Sequence, residues 1–224
     1  MQDKRDIPFK EESVKTIVDH LLYNAKTDTE KLEKIYYFVR DTIKFGWVYP
    51  MEISAEEVLR NKRGVCMQKS NLLVAMAREA GLKARFHFLL VHKNALEDFL
   101  PVFAYKRWAD TFPHTVPEVY LDKRWISVEA TFDKELHEIC LKKKINFGKH
   151  DKIVGIIAIE FSKDGVKGHQ QYCHAEGKES SYGEDLSELT NFMKNNVVWW
   201  KKILQPFIFN KAQKIMDELR RKNK

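Results

Sequence analysis

Long apolar runs and cysteines are scarce in this chain of 224 residues. No stretch of about 18 consecutive apolar residues occurs, so no segment has the pattern of a membrane-spanning helix. The N-terminal segment MQDKRDIPFKEESV is charged and has no apolar core, so we expect no secretory signal peptide. The three cysteines, Cys66, Cys140 and Cys173, are too few and too far apart for a disulfide framework. These absences predict a reducing, cytoplasmic location.

Positive charge is concentrated at one end of the chain. The net charge is +7, and residues 201–224 hold eight basic and two acidic residues, so +6 of it lies in this C-terminal segment. The rest of the sequence is nearly balanced and contains no nucleic-acid-binding motif, so we predict no nucleic-acid partner. Hydrophobic residues make up 44% and charged residues 32%, which is typical of a globular protein. The length suits one domain with a sizeable core.

The first third of the sequence has the pattern of helices. Apolar residues at spacings of three and four predict a helix over 11–24. Two more helix starts are indicated by capping boxes, in which a hydroxyl and a glutamate satisfy each other's backbone amides, at Thr27 with Glu30 and at Ser54 with Glu57. A strongly apolar helix is predicted between Gly64 and Gly81, with Cys66 in or near its first turn.

After residue 81 the pattern changes to that of strands. Strands are predicted over 84–92, 116–121, 125–131 and 153–160, with a hairpin turn at 122–124. Residues 93–112 and 161–183 are predicted as loops, and two helices are expected on either side of Pro206, at 185–204 and 207–222. Helices, then mostly adjacent strands, then helices again predict the α+β class. We expect a single domain over 1–224, with its core at about 28–160 and a C-terminal helical extension at about 185–224.

Three residues form a candidate catalytic set. Cys66 stands at the start of a helix, His114 lies ahead of a strand, and Glu129 ends the next strand. A thiol attacks as the thiolate, which the positive end of a helix dipole and a neighbouring imidazole both stabilise. A carboxylate beside the imidazole fixes its tautomer. The set therefore points to nucleophilic thiol chemistry.

Two blocks carry a resemblance to a known family. The first, RGVCMQKSNLLVAMAREAGLKAR at 63–85, has Gly-x-Cys, an apolar helix, and then Gly-aliphatic-x-Ala-Arg. The second, HTVPEVYLDKRWISVEAT at 114–131, has His, a strand with Glu-Val-Tyr, a tight turn, Trp and an acidic residue. With the lead-in helix at 30–44, residues 28–132 resemble the transglutaminase-like superfamily, whose fold is a permuted relative of the papain-like thiol proteases.

The resemblance implies a fold and three residue roles. The nucleophile helix would pack on an antiparallel sheet, with Cys66 as nucleophile, His114 as general base and acid, and Glu129 as the residue that orients His114. The sequence departs from the family pattern at two positions, because Glu129 stands where an aspartate is usual and Ala130 where a proline is usual. A glutamate could reach the imidazole after a small backbone shift, or it could leave the set misaligned.

The oxyanion hole is less evident from the sequence. A nucleophile at a helix start makes the backbone N–H of Cys66 one expected donor. The indole N–H of Trp47 or the hydroxyl of Tyr49 would supply the second. The alternative is that both aromatic residues only pack in the core. Glu118 we interpret as structural, paired with a basic residue such as Arg78 or Arg85.

The resemblance implies thiol-based acyl transfer at a peptide or protein amide. Hydrolysis is expected rather than protein cross-linking, because water needs no second binding site and the chain has no room for the extra β-domains of large animal-type transglutaminases. No cofactor is implied, and no acidic calcium-binding loop is visible. The alternative is a protein that keeps the fold without catalysis and acts as a binding module. The reactivity of Cys66 separates the two hypotheses.

Two other features are candidates for binding sites. His169, Cys173 and His174 are close in sequence but match no strong zinc pattern, so we predict no metal site. The C-terminal segment mixes aromatic and basic residues, which would suit a peripheral membrane surface or a protein partner. The alternative, which we prefer, is that its apolar face packs on the domain and its lysines face solvent.

Overall fold

Helices come first along the chain, followed by a sheet. The structure is a computed structural model that describes residues 13–50, 53–143, 159–162, 165–168, 181–188 and 201–223. Its N-terminal part contains α1 (Val14–Leu21), α2 (Asp28–Thr42), β1 (Lys44–Phe45), α3 (Ala55–Asn61), β2 (Arg63–Gly64) and α4 (Cys66–Glu79). Both capping boxes are present, at the starts of α2 and α3, and α4 begins at Cys66, so these predictions are confirmed.

The second part is built around an antiparallel sheet. It contains β3 (Ala84–His92), a 3₁₀ helix (Lys93–Phe99), α5 (Val102–Arg107), β4 (Thr111–Leu121), β5 (Arg124–Ser127), α6 (Lys134–Lys143), β6 (Ile159–Ser162), β7 (Gly165–Gly168), β8 (Ser181–Gly183) and α7 (Lys201–Arg221). The main sheet has the order β5-β4-β3-β8, whereas β1 pairs with β2 and β6 with β7. Helices with an antiparallel sheet confirm the α+β prediction.

The turn between β4 and β5 confirms the predicted hairpin. Asp122 and Lys123 both have left-handed backbones, with φ of 51° and 62°. Two central residues with positive φ make a type I′ turn, whose twist matches that of the flanking strands. The turn sets the register in which Glu118 lies opposite Ser127.

Helix α4 lies at the centre of the main core. Leu72, Leu73 and Met76 are fully buried, and they belong to one apolar cluster with residues of the first three helices and of the sheet. A second cluster joins Phe45, Phe99 and Met216, which come from the beginning, the middle and the end of the chain. The second cluster ties α7 to the N-terminal half of the protein.

The structure corrects five sequence predictions. Residues 93–110 are largely helical, β5 ends at Ser127 instead of residue 131, residues 161–183 include β7 and β8, and one helix, α7, runs through Pro206. In addition, β4 begins at Thr111 instead of residue 116, so His114 lies within the strand and not ahead of it. Leu96 of the 3₁₀ helix and Ala104 of α5 share a buried apolar cluster with Ile208 of α7, an association that no local pattern predicts. Packing of the later turns of α7 outweighs the one helical hydrogen bond that proline cannot donate.

Several expectations lie beyond what the structure tests. The predicted strand at 153–158 and the predicted helix at 189–200 fall outside the described residues. The division into a core and a C-terminal extension stays a prediction. None of the helices within the described ranges is both long and apolar enough to cross a membrane.

A buried lysine holds the end of α2. Lys69 of α4 is almost completely buried. Its side-chain nitrogen donates hydrogen bonds to the carbonyl oxygen of Ile43 and, at 3.4 Å, to that of Arg40. These carbonyls belong to the last turn of α2 and its C-cap, where no intrahelical donor is available. Burial lowers the pKa of Lys69 to about 7, although the negative charges of Asp133 and Asp41 oppose the shift.

The lowered pKa of Lys69 predicts how stability changes with pH. Between about pH 7 and pH 10.5 the unfolded chain holds the lysine proton and the folded chain does not, so the free energy of unfolding rises with pH. From pH 7 to pH 9.5 we expect the free energy of unfolding of wild type to rise by up to about 3 kcal/mol relative to that of Lys69→Met. Urea unfolding of both proteins at both pH values measures this gain. The exposed-site control Lys83→Met should keep the wild-type slope, and parallel pH dependence of wild type and Lys69→Met would contradict the prediction.

Candidate active site

Cys66 is the first residue of α4. The Cys66 residue is partly exposed, whereas the preceding residue, Val65, is buried. The Val65 N–H donates to Gln68 Oε1 at 3.0 Å, which leaves the next backbone N–H groups at the open end of the helix. Gly64 permits this turn, because a Cβ there would lie 2.9 Å from Gln68 Cβ. Cys66 therefore lies in the positive field of a helix N-terminus.

Strand β4 brings His114 to the same place. His114 is buried, and its backbone lies opposite Leu89 of β3. Ser70, one turn after Cys66 on α4, donates its hydroxyl to the Thr115 carbonyl at 2.9 Å. This bond joins the nucleophile helix to the strand at the residue next to His114. The sequence analysis did not single out Ser70, because a serine on a helix carries no signal of its partner.

Glu129 completes the group of three side chains. Its Oε1 lies 2.6 Å from His114 Nε2, and both side chains are buried. The charge and hydrogen bonding of Cys66 raise the pKa of His114, so the thiol lies next to the imidazole ring. Because Nε2 faces Glu129, Nδ1 is the ring nitrogen left for the thiol. The structure thus brings together the three side chains of the candidate set, and the glutamate reaches the imidazole.

The electrostatics of the group favour a protonated imidazole. Burial by itself lowers the pKa of His114, but the negative charges of Glu129 and Cys66, with hydrogen bonds to both, outweigh it and hold this pKa well above its ordinary value. A protonated imidazole next to the sulfur favours the thiolate, which is the nucleophilic form. The arrangement can therefore supply a nucleophile and a proton donor side by side.

Tyr36 is a neighbour that the sequence did not single out. It lies buried on α2, where its spacing indicated only an apolar position. Burial raises the pKa of Tyr36 to about 12, Arg40 opposes the shift, and the negative charge of Glu129 adds to it. The phenol therefore stays protonated near the Glu129 carboxylate over the whole physiological range.

The segment 44–47 runs alongside the residues that precede Cys66. In the parallel pairing of β1 and β2, Phe45 lies opposite Gly64, and the Gly46 N–H donates to the Gly64 carbonyl at 3.2 Å. Trp47 is two residues past Phe45, as Cys66 is two residues past Gly64. Beyond this pairing one chain continues to Trp47 and the other enters the helix at Cys66.

Trp47 and Tyr49 have different environments. The indole Nε1 of Trp47 is buried and has no hydrogen-bond partner among the described residues, whereas Tyr49 is 53% exposed. The Trp47 ring stacks on Phe209 of α7, with ring centroids 4.8 Å apart. A buried N–H without a partner costs free energy unless something else accepts it. Of the two candidate donors, Trp47 is the one whose polar atom is buried and has no partner among the described residues.

Asp133 holds the backbone next to Trp47. Its carboxylate is fully buried and accepts the Phe45 N–H at 2.8 Å and the Leu136 N–H at 3.2 Å. Arg220 of α7 donates to the same carboxylate at 2.6 Å and to the Phe45 carbonyl at 3.0 Å. Burial raises the pKa of Asp133, but Arg220 and the Phe45 amide outweigh it and keep this pKa below its ordinary value. The position of Asp133 just before α6 predicts an N-cap from the sequence. No sequence pattern predicts its bond to Arg220.

The remaining candidates have structural surroundings or lie outside the described residues. Glu118 is buried and bonded to Arg85 at 2.8 Å, so the predicted pairing of Glu118 with a basic residue is confirmed. Within the described ranges, no group of three or more His, Cys, Asp and Glu side chains could hold a metal ion. His169, Cys173 and His174 lie outside those ranges. The contact of α7 with a membrane or partner stays a prediction, although Ala212 and other residues of its apolar face are buried.

Similarity to individual known proteins is low. A search of curated proteins returned no match. Among solved structures, the chain is similar to a "putative cysteine protease" from Cytophaga hutchinsonii, with 14% identity, a TM-score of 0.41, and coverage of 82% of this chain and 53% of that one. It is also similar to a "putative protease" from Parabacteroides distasonis, with 15% identity, a TM-score of 0.39, and coverage of 55% and 24%. The chain thus spans about half of the first protein and about a quarter of the second.

A family model matches a larger part of the sequence than either block of the resemblance. The model of the transglutaminase-like superfamily matches residues 15–130, which is a little over half of the chain and includes Cys66, His114 and Glu129. The antiparallel sheet and the helix that begins at Cys66 agree with this assignment. The chain belongs to the transglutaminase-like superfamily.

Proposed function

We propose that this protein is a cysteine enzyme that transfers the acyl group of an amide to water. Cys66 is the nucleophile, His114 is the general base and acid, and Glu129 orients His114. The observation that carries the proposal is the buried imidazole of His114, which is hydrogen-bonded to Glu129 at 2.6 Å and whose pKa is raised by the neighbouring thiol at the start of α4. A buried ion pair of this kind is costly for a merely structural site.

The first half-reaction forms a thioester. The Cys66 thiolate attacks the amide carbonyl carbon, and the carbonyl oxygen becomes an oxyanion. The His114 imidazolium then gives its proton to the leaving nitrogen, the C–N bond breaks, and the amine departs. Glu129 keeps the positive charge of His114 favourable until this transfer occurs.

The second half-reaction releases the acyl group. His114, now neutral, accepts a proton from a water molecule whose oxygen attacks the thioester carbonyl. The C–S bond breaks, the acid leaves, and the thiolate–imidazolium pair is restored. The same imidazole therefore acts as an acid in the first half and as a base in the second.

Two N–H groups are suited to bind the oxyanion. One is the backbone N–H of Cys66, which is at the open end of α4. The other is the indole N–H of Trp47, which follows β1 just as Cys66 follows β2 and has no partner among the described residues. The exposed hydroxyl of Tyr49 is less suited, because solvent competes for it.

The reactivity of Cys66 tests the proposed nucleophile. At pH 6 an ordinary thiol is almost entirely protonated, so we expect iodoacetamide to alkylate Cys66 at least about 10-fold faster than N-acetylcysteine. His114→Ala should remove this advantage, because the thiolate loses its counter-ion. Mass spectrometry of the peptides gives the rate at each cysteine as a function of pH.

Cys140 is the internal control for this experiment. It is buried, and burial raises its pKa to about 12, so it should label slowly at every pH tested. If Cys66 labels like N-acetylcysteine in wild type and in His114→Ala, the enzyme proposal fails. The binding-module hypothesis would then replace it.

The contact between Glu129 and His114 predicts the effect of removing one charge. In Glu129→Gln the imidazolium loses its carboxylate, so the acid limb of Cys66 alkylation should move up by about 1 to 2 pH units. Glu118→Gln removes an equally buried carboxylate that is bonded to Arg85 instead, so it should leave the limb in place. Equal shifts in both variants would mean that Glu129 acts only through general electrostatics or folding.

The acyl acceptor is tested on the thioester itself. Reaction with p-nitrophenyl acetate should acetylate Cys66 and release p-nitrophenolate. Because water needs no binding site of its own, we expect the acetyl-enzyme to decay at the same rate with and without an excess of putrescine, as followed by intact mass. Faster decay with formation of N-acetylputrescine would assign an amine as the acceptor.

A further inference from the structure

Helix α7 lies outside the part of the chain that the family model matches, yet it contacts the proposed site. The match ends at residue 130, and α7 covers Lys201–Arg221. Its buried residues Ile208 and Phe209 pack in one apolar cluster with Trp47, and Met216 packs in another with Phe45. The helix that follows the family domain therefore covers the segment that carries the proposed oxyanion donor.

Gln213 makes the most direct of these contacts. Its Oε1 accepts the backbone N–H of Trp47 at 2.7 Å, and its Nε2 donates to Asp217 Oδ1 at 2.7 Å. The approach is so close that a Cβ on Gly46 would lie 2.6 Å from Gln213 Oε1. The amide of Gln213 is therefore oriented at both ends, and its oxygen can only face the Trp47 backbone.

Two more contacts fix the same segment. The Phe209 ring stacks on the Trp47 indole, with an angle of 23° between the ring planes. Arg220 binds the Phe45 carbonyl, and its partner Asp133 binds the Phe45 N–H. Backbone and ring of the 45–47 segment are thus both held by α7.

We propose that α7 is a positioning element of the active site, and that Gln213 fixes Trp47 so that its indole N–H faces the developing oxyanion. This inference rests on the proposed function. Gln213 is a positioning residue, since it touches Trp47 and not the reacting atoms. Donors that stabilise an oxyanion act only when they are held in place before the reaction. Small displacements of such groups reduce rates strongly.

Two reactions of Cys66 separate the donor from the nucleophile. Alkylation by iodoacetamide needs the thiolate and forms no oxyanion, whereas acylation by p-nitrophenyl acetate passes through one. In Gln213→Met, which keeps the length of the side chain but removes its acceptor, we expect acylation to be about 10-fold to 100-fold slower. Alkylation of Cys66 and its pH profile should be unchanged. Release of p-nitrophenolate and the mass of the alkylated peptide measure the two rates.

Two further proteins serve as controls. Lys214→Gln changes the next, exposed residue of α7, so it should keep the wild-type rates in both reactions. In Gln213→Glu combined with Asp217→Asn, the glutamate can accept the Trp47 N–H and the asparagine can donate to the glutamate. This double variant should therefore keep the wild-type rate of acylation. The thermal unfolding midpoint of each variant shows whether α7 is still packed.

A double-mutant cycle tests whether Gln213 acts through Trp47. Trp47→Phe removes the indole donor and keeps a ring on Phe209, and it should slow acylation by about 100-fold. In the Trp47→Phe background, Gln213→Met should have no further effect. A purely structural role would slow acylation by the same factor in both backgrounds, and this result would overturn the inference.

The outcomes also separate the inference from the proposed function. If wild-type Cys66 is neither acylated nor alkylated faster than N-acetylcysteine, the proposed function fails. If wild type is acylated rapidly and Gln213→Met matches it, the enzyme proposal stands and the positioning role of α7 is wrong. Equal loss of alkylation and acylation in Gln213→Met would also contradict the inference, because the nucleophile itself would then be affected.

Discussion

Burial of helix α4 is the constraint on which the rest of the site depends. Leu72 and Met76 have no exposed surface, so the helix is held rigidly between the N-terminal helices and the sheet. Its first residue is Cys66, and one turn later Ser70 holds the backbone of β4 beside His114. The same helix therefore positions the proposed nucleophile and the strand that carries its base. Tight packing in the core allows such a placement to be specific.

Buried charges hold the segment that leads to Trp47. Lys69 binds the carbonyls at the end of α2, and Asp133 and Arg220 bind the N–H and the carbonyl of Phe45. Buried ionic groups add little net stability, because desolvation offsets their attraction. Their partners here are backbone groups of one short segment. These bonds fix the conformation of the backbone that leads to Trp47, which hydrophobic packing by itself would not select.

Glu129 illustrates how the backbone accommodates a departure from the family pattern. Strand β5 ends at Ser127, so the chain has already left the sheet when it reaches Glu129. A strand that continued to residue 131, as the sequence predicted, would have alternated its side chains between the two faces of the sheet through Glu129. The glutamate instead reaches His114 Nε2 at 2.6 Å while both remain buried. The glutamate side chain therefore reaches the imidazole from backbone that lies beyond the end of β5.

Local chemistry made part of this structure predictable. Both capping boxes, the turn at Asp122 and Lys123, and the helix that begins at Cys66 follow from residues within a few positions of one another. Each depends on backbone amides, allowed dihedral angles or apolar spacing, and all of these can be read along the chain. The resemblance to the family added the expected roles of Cys66, His114 and Glu129, which occur in this order along the chain.

Other features depended on contacts between distant residues. The helices within 93–110 pack against α7, and α7 continues through Pro206 because its later turns are packed. By itself, the sequence determined the helix starts, the hairpin and the candidate residues, since these depend on short-range interactions. Only the tertiary structure decided that Trp47 and not Tyr49 is enclosed, and that Gln213 holds it. Residues 166 positions apart, such as Trp47 and Gln213, have no pattern in common until folding brings them together.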